Sequence, residues 1–257
     1  MRSHLLGLVA TLPFTFAAVQ YNMNWQKDAQ KIEMAKTAML ASIRTSWEQG
    51  TASDAIAELD YPEYSVYGFD DSMKPYPYPC PSFARKRNPK FIIQFGLSAA
   101  VRQSPDGRLS QEINDGLDGA ALDGASAGIP VLIGCFYKND HSDLLCAAAK
   151  KQMDYLLNTA PRTATGAISH RNATKSYWAD GVYMGFPFIA AYGAVTRDVK
   201  MLQLAYDQCR LYRDALRNST AGIWAHIYND DKQKFDDAGL WATGTVDHFD
   251  YVCTPLI

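Results

Sequence analysis

Cysteine is scarce in this chain: five residues in 257 cannot build a disulfide scaffold. Cys80, Cys135, Cys146, Cys209 and Cys253 form no Cys-x-x-Cys pair and no cluster with histidine, so a structural zinc site or a metal-based catalyst has no support. No cofactor motif is visible. The odd count leaves at least one thiol without an intramolecular partner; Cys135 and Cys146 are one candidate pair, and spacing does not fix the connectivity. An excess of one charge is also lacking. With 25 Lys and Arg against 27 Asp and Glu the net charge is −2, and no basic stripe interleaves with aromatics. No global field therefore draws nucleic acid or anionic lipid, and the expected ligand is a small or polymeric molecule met through local chemistry. Charge blocks, low-complexity tracts and obvious linkers are missing too, which favours one domain.

Strand signals are few. The best is Phe91-Ile92-Ile93-Gln94-Phe95, which serves equally well as a buried helical turn leading to Leu97, Ala99 and Ala100. Helical periodicity dominates instead. Ile32, Ala35, Met39 and Ile43 follow at three- and four-residue steps, as do Leu202, Tyr206, Cys209, Tyr212 and Leu216; Leu145, Ala148, Gln152 and Leu156 give a weaker case. Pro75, Pro77, Pro79 and Pro81 make an extended, helix-hostile stretch. Ser104-Pro105-Asp106-Gly107 reads as a turn and Pro161 to Gly166 as a loop. The economical fold is all-α, built of paired helices with functional residues near helix ends.

The longest apolar run, Leu5 to Phe16, follows Arg2 and His4, is broken by Pro13 and ends at Ala17-Ala18. It is short for a bilayer span and reads as a secretory leader over residues 1–20, leaving residues 21–257 as the mature, extracellular domain. The sequons Asn172-Ala173-Thr174 and Asn218-Ser219-Thr220 agree with secretion.

One segment carries chemistry. In Trp178-Ala179-Asp180-Gly181-Val182 an acidic side chain stands beside an indole where an apolar helix begins. A carboxyl desolvated in this way can hold a proton for transfer, and aromatic faces suit a sugar ring. The competing reading of Asp180 is a simple helix cap.

Five motifs in order then resemble the unsaturated rhamnogalacturonyl hydrolases of glycoside hydrolase family 105, particularly secreted fungal members. They are Ser46-Trp47-Glu48-Gln49-Gly50-Thr51-Ala52, Gly166-Ala167-Ile168-Ser169-His170-Arg171, Trp178-Ala179-Asp180-Gly181 with Tyr183-Met184, Gly222-Ile223-Trp224-Ala225-His226, and Gly239-Leu240-Trp241-Ala242-Thr243-Gly244. The resemblance runs from about Trp25 to Gly244. It implies an (α/α)6 toroid of helical hairpins. The implied substrate is an oligosaccharide, left by pectin lyases, that ends in a 4,5-unsaturated uronic acid. The implied chemistry is hydration of the ring's vinyl ether, outside the two-carboxylate schemes of most glycosidases. Asp180 matches the general acid/base. Asp123 matches a second, sugar-binding carboxylate, with Asp118 competing for that role. His226 and His170 match residues that position substrate or water, Trp178 a stacking platform, and Trp47 and Trp241 walls of the cleft.

Departures accompany the matches. The tract after Gly244 lacks the family's Asn-Gly-Trp, and Thr243 stands where some members carry an arginine suited to a uronate carboxylate. Arg171 is the replacement candidate. The resemblance also implies that roughly four of the six hairpins are present, as a C-terminally truncated frame would give. The alternatives are an inactive carbohydrate-binding toroid, or another glycosidase or polysaccharide lyase on the same fold.

Overall fold

The computed structural model describes residues 25–44, 46–65, 88–111 and 119–240. The leader over 1–20, the proline stretch, Cys80, Asp118, Trp241, Thr243, Gly244 and Cys253 lie outside the described residues. The chain divides into two units, residues 1–41 and 42–257. In the first, helix α1 (Trp25–Ser42) carries local ion pairs, Lys31 with Asp28 and Lys36 with Glu33. Of its periodic apolar residues, Ile32 and Met39 are half-buried and Ala35 is exposed.

The second unit is mostly helical: α2 (Ser46–Asp60), α3 (Lys90–Val101), α4 (Asp123–Ser126), α5 (Gly128–Phe136), α6 (Ser142–Asn158), α7 (Gly181–Met184), α8 (Phe186–Thr196) and α9 (Val199–Leu216). Two hairpins, α5 with α6 and α8 with α9, pack closely, and α3 packs on α5 as extensively. In the first, Asn139 satisfies the turn, donating to the Gly134 and Tyr137 carbonyls while its Oδ1 accepts the His141 N–H. A disulfide between Cys135 and Cys146 crosses the same turn. In the second, Arg197 takes a left-handed φ of 58° to end α8, and Asp198 caps α9 by accepting the Lys200 N–H at 2.9 Å.

The Phe91–Phe95 run is helical. Ile92, Ile93, Phe95, Gly96 and Ala99 of α3 are buried at helical spacing, and the continuation through Ala100 supplies a length that a strand would not need. The weakest periodic series on paper, Leu145, Ala148, Gln152 and Leu156, is buried throughout on α6. There Gln152 spends its side-chain oxygen on the Leu109 N–H at 2.8 Å. Cys209, Tyr212 and Leu216 face the core from α9 and are buried there. Phe186, Phe188, Ile189 and Leu156 fill the centre, each such burial worth roughly 1.5–3 kcal/mol. No helix among the described residues is long and apolar enough to cross a membrane.

A small sheet supplements the helices. Strands β1 (Ser176–Trp178), β2 (Ala225–Asn229) and β3 (Lys234–Leu240) run antiparallel in the order β1-β2-β3, with Trp178 opposite Ile227 and Ile227 opposite Asp237. Its pattern is illegible in sequence: β1 has three residues and β3 is exposed along its described length, so no apolar alternation arises.

A polar contact joins helices α2 and α7: Tyr183 donates its hydroxyl to Asp54 Oδ2 at 3.0 Å. Burial pushes the Asp54 carboxyl up from 3.8 to about 7; the Tyr183 bond opposes this and the Glu58 charge adds to it. A carboxyl whose folded pKa is raised binds its proton more tightly in the folded chain. Its stabilising effect is complete below 3.8 and lost as pH rises through about 7. Asp54→Asn keeps an acceptor for Tyr183 and cannot ionise. At about pH 8 its thermal midpoint should exceed that of the wild type by a few degrees, and by less at about pH 5. Equal shifts at both values would show that Asp54 does not titrate in this window.

Candidate active site

The site is assembled by backbone pairing between segments far apart in sequence. Arg108, buried and bonded to Asp106 at 3.0 Å, donates to the Ala120 carbonyl at 2.9 Å and anchors the segment before Asp123. That segment pairs with the loop preceding β1: the Ala121 N–H donates to the His170 carbonyl at 2.7 Å and the Asn172 N–H to the Gly119 carbonyl at 2.9 Å. Within the loop, the Ser169 hydroxyl accepts the N–H groups of Arg171 and Ser176 and donates to the Arg171 carbonyl. One side chain thus satisfies a tight turn that would otherwise bury unpaired amides. Beyond β1 the Ala179 N–H donates to the His226 carbonyl at 2.8 Å, which sets Asp180 beside β2.

Two carboxylate–imidazole pairs result. Asp123 Oδ1, on the first residue of α4, lies 3.4 Å from His170 Nε2, their side chains 12% and 4% exposed. Asp180 Oδ2 lies 3.4 Å from His226 Nε2, with exposures of 22% and 20%. Trp178 joins them: its indole stacks on His170 (centroids 4.9 Å, planes 16° apart) and meets His226 edge to face at 5.7 Å. Its Nε1 donates to the Ser176 hydroxyl at 3.1 Å. The Arg171 guanidinium lies 5.5 Å from the indole centroid. The row therefore runs from a buried pair, past an aromatic plate with a cation over it, to a pair that water and ligand can reach.

Asp180 is not a cap. It sits before α7 with helical backbone angles, φ −54° and ψ −34°, and its side chain makes no capping hydrogen bond. Behind it Tyr212 donates its hydroxyl to the Ile168 carbonyl at 2.6 Å. Burial, then the Tyr177 hydroxyl and the charge of Asp180, push the Tyr212 phenol well up, so it remains a neutral donor under the site. Gly181 makes the close fit feasible. A Cβ there would lie 2.8 Å from both Leu122 Cδ1 and Tyr212 Cε1.

Five of the residues expected from sequence come together: Asp180, Asp123, Trp178, His226 and His170. Arg171 joins them. Trp47 stands 46% exposed on α2 and is not part of this row, while its neighbours Ser46, Gln49 and Gly50 are buried. Gly50 lets α2 approach Ser126 of α4, and Gln49 reaches the Phe95 carbonyl, so much of that motif serves packing around α4. Trp241 lies outside the described residues. The sequence reading missed Asp237. Its Oδ2 lies 2.7 Å from His226 Nδ1, and this bond, with the Gly239 N–H second, holds the Asp237 carboxyl below the ordinary carboxylate range. Nothing in an exposed Asp236-Asp237 pair separates it from solvated charge; only the register of β2 and β3 reveals it. Among the described residues no group of three or more His, Cys, Asp or Glu side chains is gathered as a metal ion would require. A cavity of about 550 Å³ lies elsewhere, lined by Gln103, Asp106, Lys151 and Tyr155 among others, and includes no member of either pair.

Known proteins resemble this chain in sequence and in fold. Residues 100–245 match the family model of Glycosyl Hydrolase Family 88. The fold is similar to that of a glycoside hydrolase from family 105 of C. acetobutylicum ATCC 824, at 17% identity and a TM-score of 0.57, covering 89% of this chain and 57% of that one. It is also similar to a possible member of the GH105 family from Klebsiella pneumoniae subsp. pneumoniae MGH 78578, at 12% identity and a TM-score of 0.55, covering 97% and 69%. These likenesses identify the fold as the helical-hairpin toroid type. The chain spans little more than half the length of the first of these structures.

The closeness of Gly181 to its neighbours is testable. Gly181→Ala should destabilise the protein by about 1–3 kcal/mol, as overpacking of a filled site does. Denaturant unfolding measures this, and a midpoint equal to wild type would mean that Leu122 and Tyr212 yield freely.

Proposed function

The chain belongs to Glycosyl Hydrolase Family 88, and we propose that it is a glycoside hydrolase of the family 105 type. The proposed substrates are pectin or rhamnogalacturonan oligosaccharides that end in a 4,5-unsaturated uronic acid. The observation that carries this reading is the Asp180 carboxyl: freed from capping, partly open to solvent, and facing His226 beside the Trp178 indole.

The terminal ring of such a substrate is a vinyl ether, with the double bond between C4 and C5 and the ring oxygen on C5. Asp180 gives its proton to C4, and the ring oxygen shares the positive charge that develops at C5. Water adds to C5 and returns a proton to the Asp180 carboxylate. The hemiketal so formed opens to a ketone at C5 and a hydroxyl at C1. C1 then carries both that hydroxyl and the next sugar, and it expels the sugar as it becomes an aldehyde. One acid and one water suffice. Asp123, buried against His170, suits holding and orienting the ring better than attacking it.

The substrate's carboxylate needs a cation. Arg171, over the indole, is the group we assign to it, since the guanidinium fork fits a carboxylate.

The test uses lyase-digested rhamnogalacturonan and follows loss of the ultraviolet absorbance of the conjugated uronate. Asp180→Asn should slow that loss by about a hundredfold or more while leaving the fold intact. A wild-type rate would remove Asp180 from its role. In the same assay Arg171→Ala should raise KM by about ten- to a hundredfold, the equivalent of roughly 1.5–3 kcal/mol for lost charge-assisted hydrogen bonds. An unchanged KM would place carboxylate recognition elsewhere.

A further inference from the structure

Asp237 stands outside every motif, yet it holds the imidazole that faces Asp180. Its two oxygens have separate tasks: Oδ1 accepts the Gly239 N–H at 2.7 Å, and Oδ2 meets His226 Nδ1 at 2.7 Å. The strand register explains how it gets there. Ala225 lies opposite Leu240 and Ile227 opposite Asp237, so β3 spends three steps where β2 spends two. In an unbroken ladder, residues at adjacent register positions point to opposite faces of the sheet. A second shift follows, since Tyr228 lies opposite Phe235; the extra residues on β3, one on each side of Asp237, turn the strand locally, as bulges do, and let Asp237 reach the ring of His226.

We propose that Asp237 is a positioning residue: its carboxylate fixes His226 as the Nδ1–H tautomer and turns a bare Nε2 toward Asp180. A carboxylate offers only acceptors, so the 2.7 Å contact puts the hydrogen on Nδ1. The lone pair on Nε2 then faces Asp180 Oδ2 at 3.4 Å. That geometry accepts a proton carried on Oδ2 and gives nothing to an empty carboxylate. His226 thereby presents an acceptor, and no donor, to the Asp180 oxygen that faces it. It also receives the proton's direction from a residue that touches neither substrate nor the acid. The kinetic part of this inference rests on the hydrolase reading above; the tautomer does not.

The experiment is ¹⁵N nuclear magnetic resonance of the histidine side chains, with His226 assigned by loss of its signals in His226→Gln. In the wild type at about pH 8 the Nδ1 signal should be of the protonated type and Nε2 of the bare type. Asp237→Asn retains an oxygen for Gly239 and presents an amide N–H₂ to Nδ1, so the two signals should exchange character while the bulge persists. With unsaturated oligosaccharide, the same variant should lose about tenfold or more in kcat, with KM changed far less. This is part of the roughly 10²–10⁴-fold that a positioned acid supplies. An Nε2–H tautomer or an imidazolium in the wild type overturns the inference, as does an Asn variant with wild-type signals. A switched tautomer with undiminished kcat overturns its catalytic half. Because the spectra need no substrate, a wrong substrate class would leave the tautomer result standing, whereas a wrong tautomer would leave the Asp180→Asn result standing.

Discussion

The site depends on a short run of backbone hydrogen bonds that crosses the molecule sideways. Ala121 donates to His170, and Ala179 donates to His226. Each bond joins a segment that carries a carboxylate to one that carries its imidazole. The side chains at stake are polar and partly buried, a combination that is costly unless every partner is in place. Backbone pairing supplies that placement without using the side chains themselves. The helices bury apolar surface and give the fold its stability. The irregular segments between them, pinned by Ser169 and Arg108, give the site its geometry.

Trp178 is where these two roles meet. As the last residue of β1 it is held by strand pairing, and its indole fills the space between two imidazoles while its outer side carries a guanidinium. Local sequence suggests that an indole acts on Asp180 by stripping away water. In the structure its described contacts are with the two histidines, the Arg171 guanidinium and the Ser176 hydroxyl, and the ring of His226 is what links it to Asp180. Ring orientation is what an acid needs from such a neighbour, since a proton moves along a line between two atoms.

Much of this was legible in the sequence, and the unreadable part has a physical cause. Helices α6 and α9 announce themselves through three- and four-residue spacing, because each buries one face against a continuous core. Asp180, Asp123, His170 and His226 were expected from the resemblance of short motifs, and the fold brings the four together as two pairs. The sheet could not be read. Three residues of β1 and an exposed β3 bury too little for a two-residue period to show, and Asp237 depends wholly on that sheet. The alternative reading of Asp180 as a cap also needed coordinates. A cap and a poised acid occupy the same position in sequence and differ only in where the side chain's oxygens go.

The two carboxylates differ in a way that bears on the reaction. A nucleophile and an acid acting from opposite faces of one glycosidic bond must both reach the sugar. Asp123 is engaged with His170 beneath the indole, at about half the exposure of Asp180. Asp180 is the more exposed of the two, and the His226 imidazole stands between it and the Asp237 carboxylate. An arrangement with one accessible acid is poorly suited to double displacement. The reaction proposed above asks less of it, since it begins with protonation of carbon and ends with water supplying the oxygen.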